Sequence, residues 1–318
     1  MAHPEQRPVI TLTLNPALDL TTGVPRVEPR LKLRCEEPRE DPGGGGLNAA
    51  RVIAELGGRV EAVYAAGGLP GDRLEELLGD GGLRGHRVRI AGSTRQSFAV
   101  HERETGRQFR FLLPGPELAG PEWAACVDAV ESLLRPGALL LVSGSMPPGV
   151  PPEALGRIAA LGRERGARVL VDVAGPPMRE ALRAGVFMAR FNRPELEEFA
   201  GRPLPDAGER HAAIADLVDD GRAEVVIATV GGDGALVAAP GLRFRMRPPV
   251  VVQRSPVGAG DSLMGAVTLA LARGWDLERA CRLGVAAAAA AHMTPGTALC
   301  RREDVERLYE ETTESVPG

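Results

Sequence analysis

Two glycine-rich runs about two hundred residues apart, Asp41-Pro-Gly-Gly-Gly-Gly-Leu-Asn48 and Val257-Gly-Ala-Gly-Asp261, each stand directly before a strong helix pattern. The first leads into Ala49-Ala-Arg-Val-Ile-Ala-Glu-Leu56, the second into Ser262-Leu-Met-Gly-Ala-Val-Thr-Leu-Ala-Leu271. A helix start carries backbone N–H groups with no partner in the helix, and the helix dipole adds positive partial charge there. Glycine lets phosphate oxygens approach those amides closely. Two such starts suggest a chain that handles two phosphorylated ligands. The second run ends in a carboxylate, Asp261, which a plain anion site avoids. That residue points to chemistry as well as binding.

The pattern between the runs is that of an α/β fold. Val9-Ile-Thr-Leu-Thr-Leu14 reads as a buried strand. Leu139-Leu-Leu-Val-Ser143, Arg168-Val-Leu-Val-Asp172 and Val225-Val-Ile-Ala-Thr229 are short apolar runs ending in small or polar residues. Amphipathic helix patterns lie near 121–134, 152–165 and 207–220. Alternation of this kind predicts a mainly parallel sheet covered on both faces, with ligands beyond the carboxyl ends of its strands. Ser143, Asp172 and Thr229 are expected there. Residues 20–40 and 93–113 instead alternate like strands without helices, as in Ser97-Phe-Ala-Val-His101 and Arg107-Gln-Phe-Arg-Phe111. They predict a small antiparallel layer, a lid over the site or a dimer surface. With no repeat or flexible linker, the chain reads as one domain over 1–318 with this lid appended.

Bulk properties narrow the function. A net charge of −4 with 25% charged residues gives no sign of a nucleic-acid surface. The basic cluster Arg84 to Arg89 reads as a solvated edge. No apolar run reaches the ~20 residues that span a bilayer, so no membrane partner is expected. The first eight residues lack the apolar stretch of a signal peptide. Four cysteines without C-x-x-C spacing read as free thiols in a reducing cytoplasm. Among 38 basic residues only Lys32 is a lysine. It is either a leftover surface residue or a position where a flexible ammonium is needed and a planar guanidinium does not serve.

Several common sites are excluded. Lys32 has no P-loop context. Gly44-x-Gly46-x-x-Ala49 formally fits a dinucleotide fingerprint, but Glu37-Pro-Arg-Glu-Asp-Pro42 before it is not expected to form the strand that fingerprint requires. There is no His-Glu-x-x-His and no Gly-x-Ser-x-Gly.

The remaining motifs carry a resemblance that runs from Val9 to about Tyr309. They are Thr13-Leu-Asn-Pro-Ala-Leu-Asp19, the Gly43–Asn48 loop, Ser143-Gly-Ser-Met-Pro-Pro-Gly149, Asn192-x-x-Glu195, Thr229-x-Gly231-x-x-Gly234 and Gly258-Ala-Gly-Asp261. In this order they resemble the phosphofructokinase-B branch of the ribokinase superfamily of carbohydrate kinases. Lys32-Leu-Arg-Cys35, Thr94-Arg-Gln96, Phe109-Arg-Phe111 and Gly296-Thr-x-Leu-Cys300 are similar to its kinases of fructose 6-phosphate.

The resemblance implies a ribokinase-like three-layer sandwich with a β lid, and a kinase using ATP and Mg²⁺. It implies Asp261 as general base on the accepting sugar hydroxyl, with the amides of Gly258, Ala259 and Gly260 holding the transferring phosphate. On helix statistics alone, Asp261 reads as an N-cap, for which Asp is favoured; the three small residues before it and the resemblance point to catalysis. Asp19, Gly44, Gly45 and Asn48 would bind sugar hydroxyls, since a carboxylate or amide serves two hydroxyls at once. Arg95, Arg110 and Ser145 would hold the sugar's own phosphate; each arginine alone also fits an exposed strand charge. Lys32 would reach the ATP phosphates across a homodimer formed through the lid. Thr229, Gly231 and Gly234 resemble the nucleotide loop, beside the alanine-rich 284–291 helix. Asn192 and Glu195 resemble a pair that organises Mg²⁺ through water, although Glu195 also suits a first helical turn.

Three departures stand out. The family commonly reads Lys-Pro-Asn where this chain has Arg190-Phe-Asn192, so Arg190 would keep a charge near ATP with a different geometry. Gly45 stands where fructose-1-phosphate and tagatose-6-phosphate kinases usually have lysine. Thr294 and Ala298 replace an Asn and an Arg beside the relatives' monovalent-cation site, leaving backbone carbonyls to bind K⁺. The expected function is conversion of fructose 6-phosphate to fructose 1,6-bisphosphate. The alternatives are a tagatose-6-phosphate or fructose-1-phosphate kinase and, in another class, a catalytically weak sugar-phosphate-binding regulator.

Overall fold

The computed structural model describes residues 6–29, 32–255 and 257–315. Residues 30 and 31 of the expected 20–40 layer, and the first five residues, therefore lie outside the described residues. The amino-terminal part runs β1 (Val9–Thr13), β2 (Ala17–Val24), β3 (Arg39–Gly43), α1 (Gly45–Glu55), β4 (Glu61–Ala66), α2 (Gly68–Asp80), β5 (Gly85–Arg89), β6 (Arg95–Glu102) and β7 (Gln108–Leu112). The middle continues with α3 (Gly120–Leu133), β8 (Leu139–Ser143), α4 (Glu153–Glu164), β9 (Arg168–Asp172), α5 (Pro176–Ala184), β10 (Val186–Asn192) and α6 (Arg193–Ala200). The rest is α7 (Ala207–Asp219), β11 (Ala223–Thr229), β12 (Ala235–Ala239), β13 (Leu242–Arg247), α8 (Ala259–Ala272), α9 (Leu277–His292), α10 (Arg302–Glu311) and β14 (Thr313–Ser315).

Ten strands form one sheet in the order β14-β13-β12-β11-β10-β9-β8-β1-β4-β5. Its pairings from β11 to β5 are parallel, and those from β14 to β11 antiparallel. The strands read as unbroken apolar runs because successive side chains enter cores on opposite faces. Leu140 and Val142 of β8 pack with Cys126 of α3 and Leu155 of α4, whereas Leu139 and Leu141 pack with Val52 of α1 and Val267 of α8. This is the expected α/β architecture, helices on both faces of a mainly parallel sheet.

Small residues set how the helices of the second face meet. A Cβ at Gly265 of α8 would lie 2.7 Å from the Ala49 carbonyl of α1. At Gly284 of α9 it would lie 3.1 Å from the Leu263 carbonyl of α8. These close approaches bring α1 and α8 together at backbone distance, so the two glycine-rich helix starts become neighbours.

The smaller sheet has the order β3-β2-β6-β7. Its outer pairings are antiparallel as expected, but the central β2–β6 pairing is parallel, with Asp19 opposite Ser97. The layer is thus mixed, because β2 and β6 are joined through elements of the large sheet and not by a hairpin. Residues 32–38 form no strand and are exposed. The expectation that 37–42 forms no strand is corrected, since Arg39–Gly43 is β3; it pairs antiparallel with β2 in the smaller sheet and is not the parallel-sheet strand that a dinucleotide fingerprint follows. The Arg84–Arg89 cluster falls on β5, the edge strand, where Arg89 is exposed but the Arg87 side chain is buried and ion-paired to Asp72 and Glu75. Cys126, Cys281 and Cys300 are buried and Cys35 is exposed, all as free thiols. Among the described residues no helix is long and apolar enough to cross a membrane.

Candidate active site

The start of α8 is built by Gly258, whose φ of 77° is a left-handed conformation that a side chain would resist. One turn of free amides follows, and Asp261 sits within it. Asn48 of α1 reaches across and donates from Nδ2 to Asp261 Oδ2 at 2.8 Å, a contact between residues 213 apart in sequence. Burial pushes the Asp261 carboxyl up to about 6; nearby Asp172 and Asp19 add to the rise, against the Asn48 hydrogen bond and the charge of Arg190. A carboxylate poised there is ionised at neutral pH and basic enough to take a proton. Its bond comes from Asn48, not from the helix's own amides, so it does not act as a cap.

The first run is packed differently. Gly44 precedes α1 with φ 114°, and a Cβ there would lie 2.8 Å from Thr13 Cγ2. At Gly45 a Cβ would collide with Ser143 Oγ, and at Gly43 with the Asp19 carboxylate. The Asp19 carboxyl is itself pushed up to about 6 by burial, with Arg110 and Arg95 opposing the rise. A loop facing a carboxylate repels phosphate and suits hydroxyl groups. This setting favours the hydroxyl role expected of Gly44, Gly45 and Asn48 over phosphate binding at the first run.

The smaller sheet brings two cationic groups towards Asp19. Arg95 on β6 is half-buried; it donates to the carbonyls of Asn15 at 3.1 Å and Leu113 at 3.4 Å, and its buried Nε has no partner. Arg110 on β7 is exposed and within electrostatic reach of Asp19. Exposed Ser145 accepts from Asn15 Nδ2 at 3.0 Å. Asn15 thus ties Ser145 and Arg95 together.

Beyond β10 and β11 lies a cleft of about 710 Å³. Thr229, Gly231, Gly234, Arg190 and Asn192 line it, facing Leu263, Val285, Ala288 and Ala289. Ala259 and Gly260 also line it, so the start of α8 opens into the cleft. An apolar wall beside glycine backbone and a helix start fits a nucleotide, base on one side and phosphates on the other. Gly234 is required by close approach, since a Cβ would collide with the Met246 carbonyl.

Arg190 has a more internal place than its sequence context implies. Its guanidinium donates to Asp172 Oδ1 at 3.1 Å and Thr229 Oγ1 at 2.7 Å, and a Cβ at Gly260 would lie 2.9–3.1 Å from it. The charge is held under the α8 start by strand ends. Asn192 and Glu195 form a reciprocal cap of α6: Glu195 N–H donates to Asn192 Oδ1 at 2.9 Å, and Asn192 N–H to Glu195 Oε2 at 2.8 Å. Burial raises the Glu195 carboxyl above its ordinary range. Both are engaged in helix capping, with Glu195 Oε1 outside that cap. Lys32 is exposed and does not line the cleft. No cluster of three or more His, Cys, Asp or Glu is present among the described residues. A divalent ion here would accordingly be held largely by water and phosphate oxygens.

Sequence reading did not give Arg51 and Asn15 roles in the site, and named Asp172 only by position. Arg51 could have been found by its place one helical turn after Asn48, and Asn15 by its place within the Thr13–Asp19 motif.

The profile of the pfkB family of carbohydrate kinases matches residues 7–304. The chain is 44% identical over 302 residues to the ATP-dependent 6-phosphofructokinase isozyme 2 of Mycobacterium tuberculosis, covering 95% of this chain and 89% of that one. Two crystal structures of phosphofructokinase-2 from Escherichia coli superpose on it: one in complex with potassium at TM-score 0.93 and 38% identity, one in complex with fructose-6-phosphate at 0.91 and 37%. Each covers 96% of this chain and 99% of its own.

Proposed function

Because this chain belongs to the pfkB family of carbohydrate kinases, we propose that it transfers the γ-phosphoryl group of ATP to the 1-hydroxyl of fructose 6-phosphate. The observation that carries this reading is the Asn48–Asp261 hydrogen bond, which joins the hydroxyl-binding run to the phosphate-binding run at one carboxylate. A kinase of this family uses ATP and a divalent metal.

Asp19, the Gly44–Gly45 backbone and Asn48 orient the sugar hydroxyls, while Arg95, Arg110 and Ser145 take its 6-phosphate. Asp261 accepts the proton of the 1-hydroxyl as that oxygen bonds to the γ-phosphorus and the bond to the β–γ bridging oxygen breaks, releasing ADP. The amides of Gly258, Ala259 and Gly260 receive the charge that develops on the transferred group. Thr229, Gly231 and Gly234 border the nucleotide, and Arg190 supplies fixed positive charge beneath Gly260. Mg²⁺, when bound, neutralises phosphate charge; Glu195 Oε1 and Asn192 would hold its water shell. The turn after α9 is rich in oxygen, with hydroxyls of Ser255 and Thr294 donating to the carbonyls of Gly296 and Ala298. Such oxygens suit K⁺.

Phe98 and Phe111 are cross-strand partners and exposed, with Leu112 and Leu113 beside them. This apolar patch supports a homodimer through the smaller sheet, which would bring the partner subunit's copy of the exposed 32–38 segment within reach of the cleft.

Gly45 bears on the choice of sugar. A lysine at that position would drive its Cβ into Ser143 Oγ, so this loop is shaped without one. The test compares kcat/KM for fructose 6-phosphate, tagatose 6-phosphate and fructose 1-phosphate in a coupled ADP-release assay. Fructose 6-phosphate is expected to lead, and a lead by either other sugar would overturn the assignment. Sugar-phosphate binding without ATP turnover would instead favour a regulator.

A further inference from the structure

Arg51 is a half-buried cation that none of the roles above uses. It lies on α1, one turn after Asn48, and its Nη1 donates both to the Pro42 carbonyl of the first glycine run at 2.9 Å and to Asn48 Oδ1 at 3.3 Å. The other end of the same Asn48 amide, Nδ2, donates to Asp261 Oδ2. An amide presents an acceptor and a donor on opposite sides, and its orientation is decided by its partners. A guanidinium has donors only, so it accepts no orientation but Oδ1 towards itself. Nδ2 must then face Asp261.

We propose that Arg51 is a positioning residue for phosphoryl transfer: by fixing the Asn48 amide against the Pro42 carbonyl, it keeps an N–H donor on Asp261 Oδ2 and leaves Oδ1 to the sugar hydroxyl. Turned over, the amide would set its oxygen against the carboxylate, a pairing that stands only if Asp261 is protonated and so useless as a base. Arg51 thereby selects the ionised, proton-accepting state of Asp261. Its anchoring to Pro42 also ties that state to the seating of the glycine run that meets the sugar.

Other charged groups face Asp261: Asp172 from β9, Arg190 from β10 and Asp19 from β2. Arg51 also feels Asp41 and Asp19 from the smaller sheet and Arg39 beside them. A general electrostatic effect of Arg51 is therefore the rival explanation, and the two differ in whether Asn48 is needed. Burial of Arg51 disfavours its charged form, and the carboxylates of Asp41, Asp19 and Asp261 offset part of that cost.

The inference rests on the kinase reading, so wild-type turnover is measured first; its absence would count against that reading and not against the relay. The relay is tested by a double-mutant cycle of Arg51→Met and Asn48→Ala. It is read by the pH dependence of kcat and, independently of turnover, by carboxyl ¹³C NMR titration of Asp261. Arg51→Met is expected to lower kcat about ten- to a hundredfold, a share of what a general base contributes. It should move the acid limb upward and leave KM for ATP unchanged. In the Asn48→Ala background the same substitution should change kcat and the Asp261 titration little. Equal effects in both backgrounds would overturn the relay in favour of bulk electrostatics. Should Arg51→Met fail to fold, Arg51→Lys is read through the same cycle. Loss of folding in both would assign Arg51 to the scaffold and refute the proposal.

Discussion

The two glycine-rich helix starts have the same composition and different neighbours. Before α1, the glycines are crowded by the protein itself: Asp19 at Gly43, Thr13 at Gly44 and Ser143 at Gly45. Before α8, a Cβ at Gly258 would meet Leu299 alone among the described residues, and one at Gly260 the guanidinium of Arg190. One run is thus seated against a carboxylate and the other above a cation. That difference underlies the proposed sorting of ligands, hydroxyls to the first and a phosphoryl group to the second, although helix-start amides are present at both. Each start also has one carboxylate pushed up to about 6, Asp19 beside the first and Asp261 within the second. The two arginines that most oppose the rise of Asp19, Arg110 and Arg95, come from the smaller sheet, with Arg51 of α1 adding to them, whereas Arg190 opposes that of Asp261 from the strand ends.

The sharpest way to break this comparison is to exchange the roles of the carboxylates. Asp261→Asn should lower kcat by about a hundred- to ten-thousandfold, the usual contribution of a positioned general base, with sugar binding retained in calorimetry. Asp19→Asn should act mainly on KM for the sugar phosphate. If Asp19→Asn abolished kcat while Asp261→Asn left it, the assignment of chemistry to the second start would be wrong.

Adding one methyl group to each run asks the same question on a smaller scale. Gly260→Ala pushes on Arg190 under the transferring phosphate, and displacement at a reacting centre costs on the order of a hundredfold in kcat. Gly43→Ala pushes on the Asp19 carboxylate instead, an overpacking of about 1–3 kcal/mol, and should appear as a raised KM for the sugar with kcat nearly intact. Steady-state kinetics with each substrate varied separates them, and identical profiles for the two variants would erase the distinction.

The fold of the core was legible because strands buried on both faces leave unbroken apolar runs, as in Leu139–Ser143, and the helices between them carry clear periodicity. The parallel β2–β6 pairing was not, since strand direction across a layer depends on what connects the strands and not on their own alternation. β10 was missed too: Val186-Phe-Met-Ala-Arg-Phe-Asn192 carries Arg190 near its end, and only the Asp172–Thr229 clamp explains that arginine. Asp261 and Asn48 could each be picked out from motifs, but their contact spans 213 residues and rests on the close packing of α1 on α8 at Gly265. Arg51 stands within the helix pattern Ala49–Leu56, where nothing in the sequence sets it apart from the other arginines.

Titration sharpens the comparison further. Asp261 must be ionised to accept a proton, so kcat should fall as pH drops through about 6. Stability should move the other way. The folded-state pKa of Asp261 lies above its ordinary 3.8, so the folded protein binds a proton that the unfolded chain releases between those values. The charged carboxyl therefore destabilises the fold above about pH 6, and stability should recover as pH falls towards 4 for this group. Asp261→Asn removes the penalty and should stabilise the inactive protein by about 1–3 kcal/mol at neutral pH, measurable as a raised Tm. An unchanged or lower Tm would mean that Asp261 is better solvated than its surroundings imply.

The smallest expected effect concerns Lys32, the only lysine in the chain. It is exposed and is not among the residues that line the cleft, so its proposed action on the nucleotide is one across a dimer. Lys32→Ala should raise KM for ATP roughly fivefold, the equivalent of about 1 kcal/mol for one exposed charge contact, and leave the sugar KM unchanged. Phe111→Glu, which places charge in the apolar patch of the smaller sheet, should yield monomers by sedimentation and raise KM for ATP by the same factor with Lys32 still present. A monomer with wild-type ATP kinetics would separate the two starts completely, because the second would then bind nucleotide without help from the sheet that frames the first.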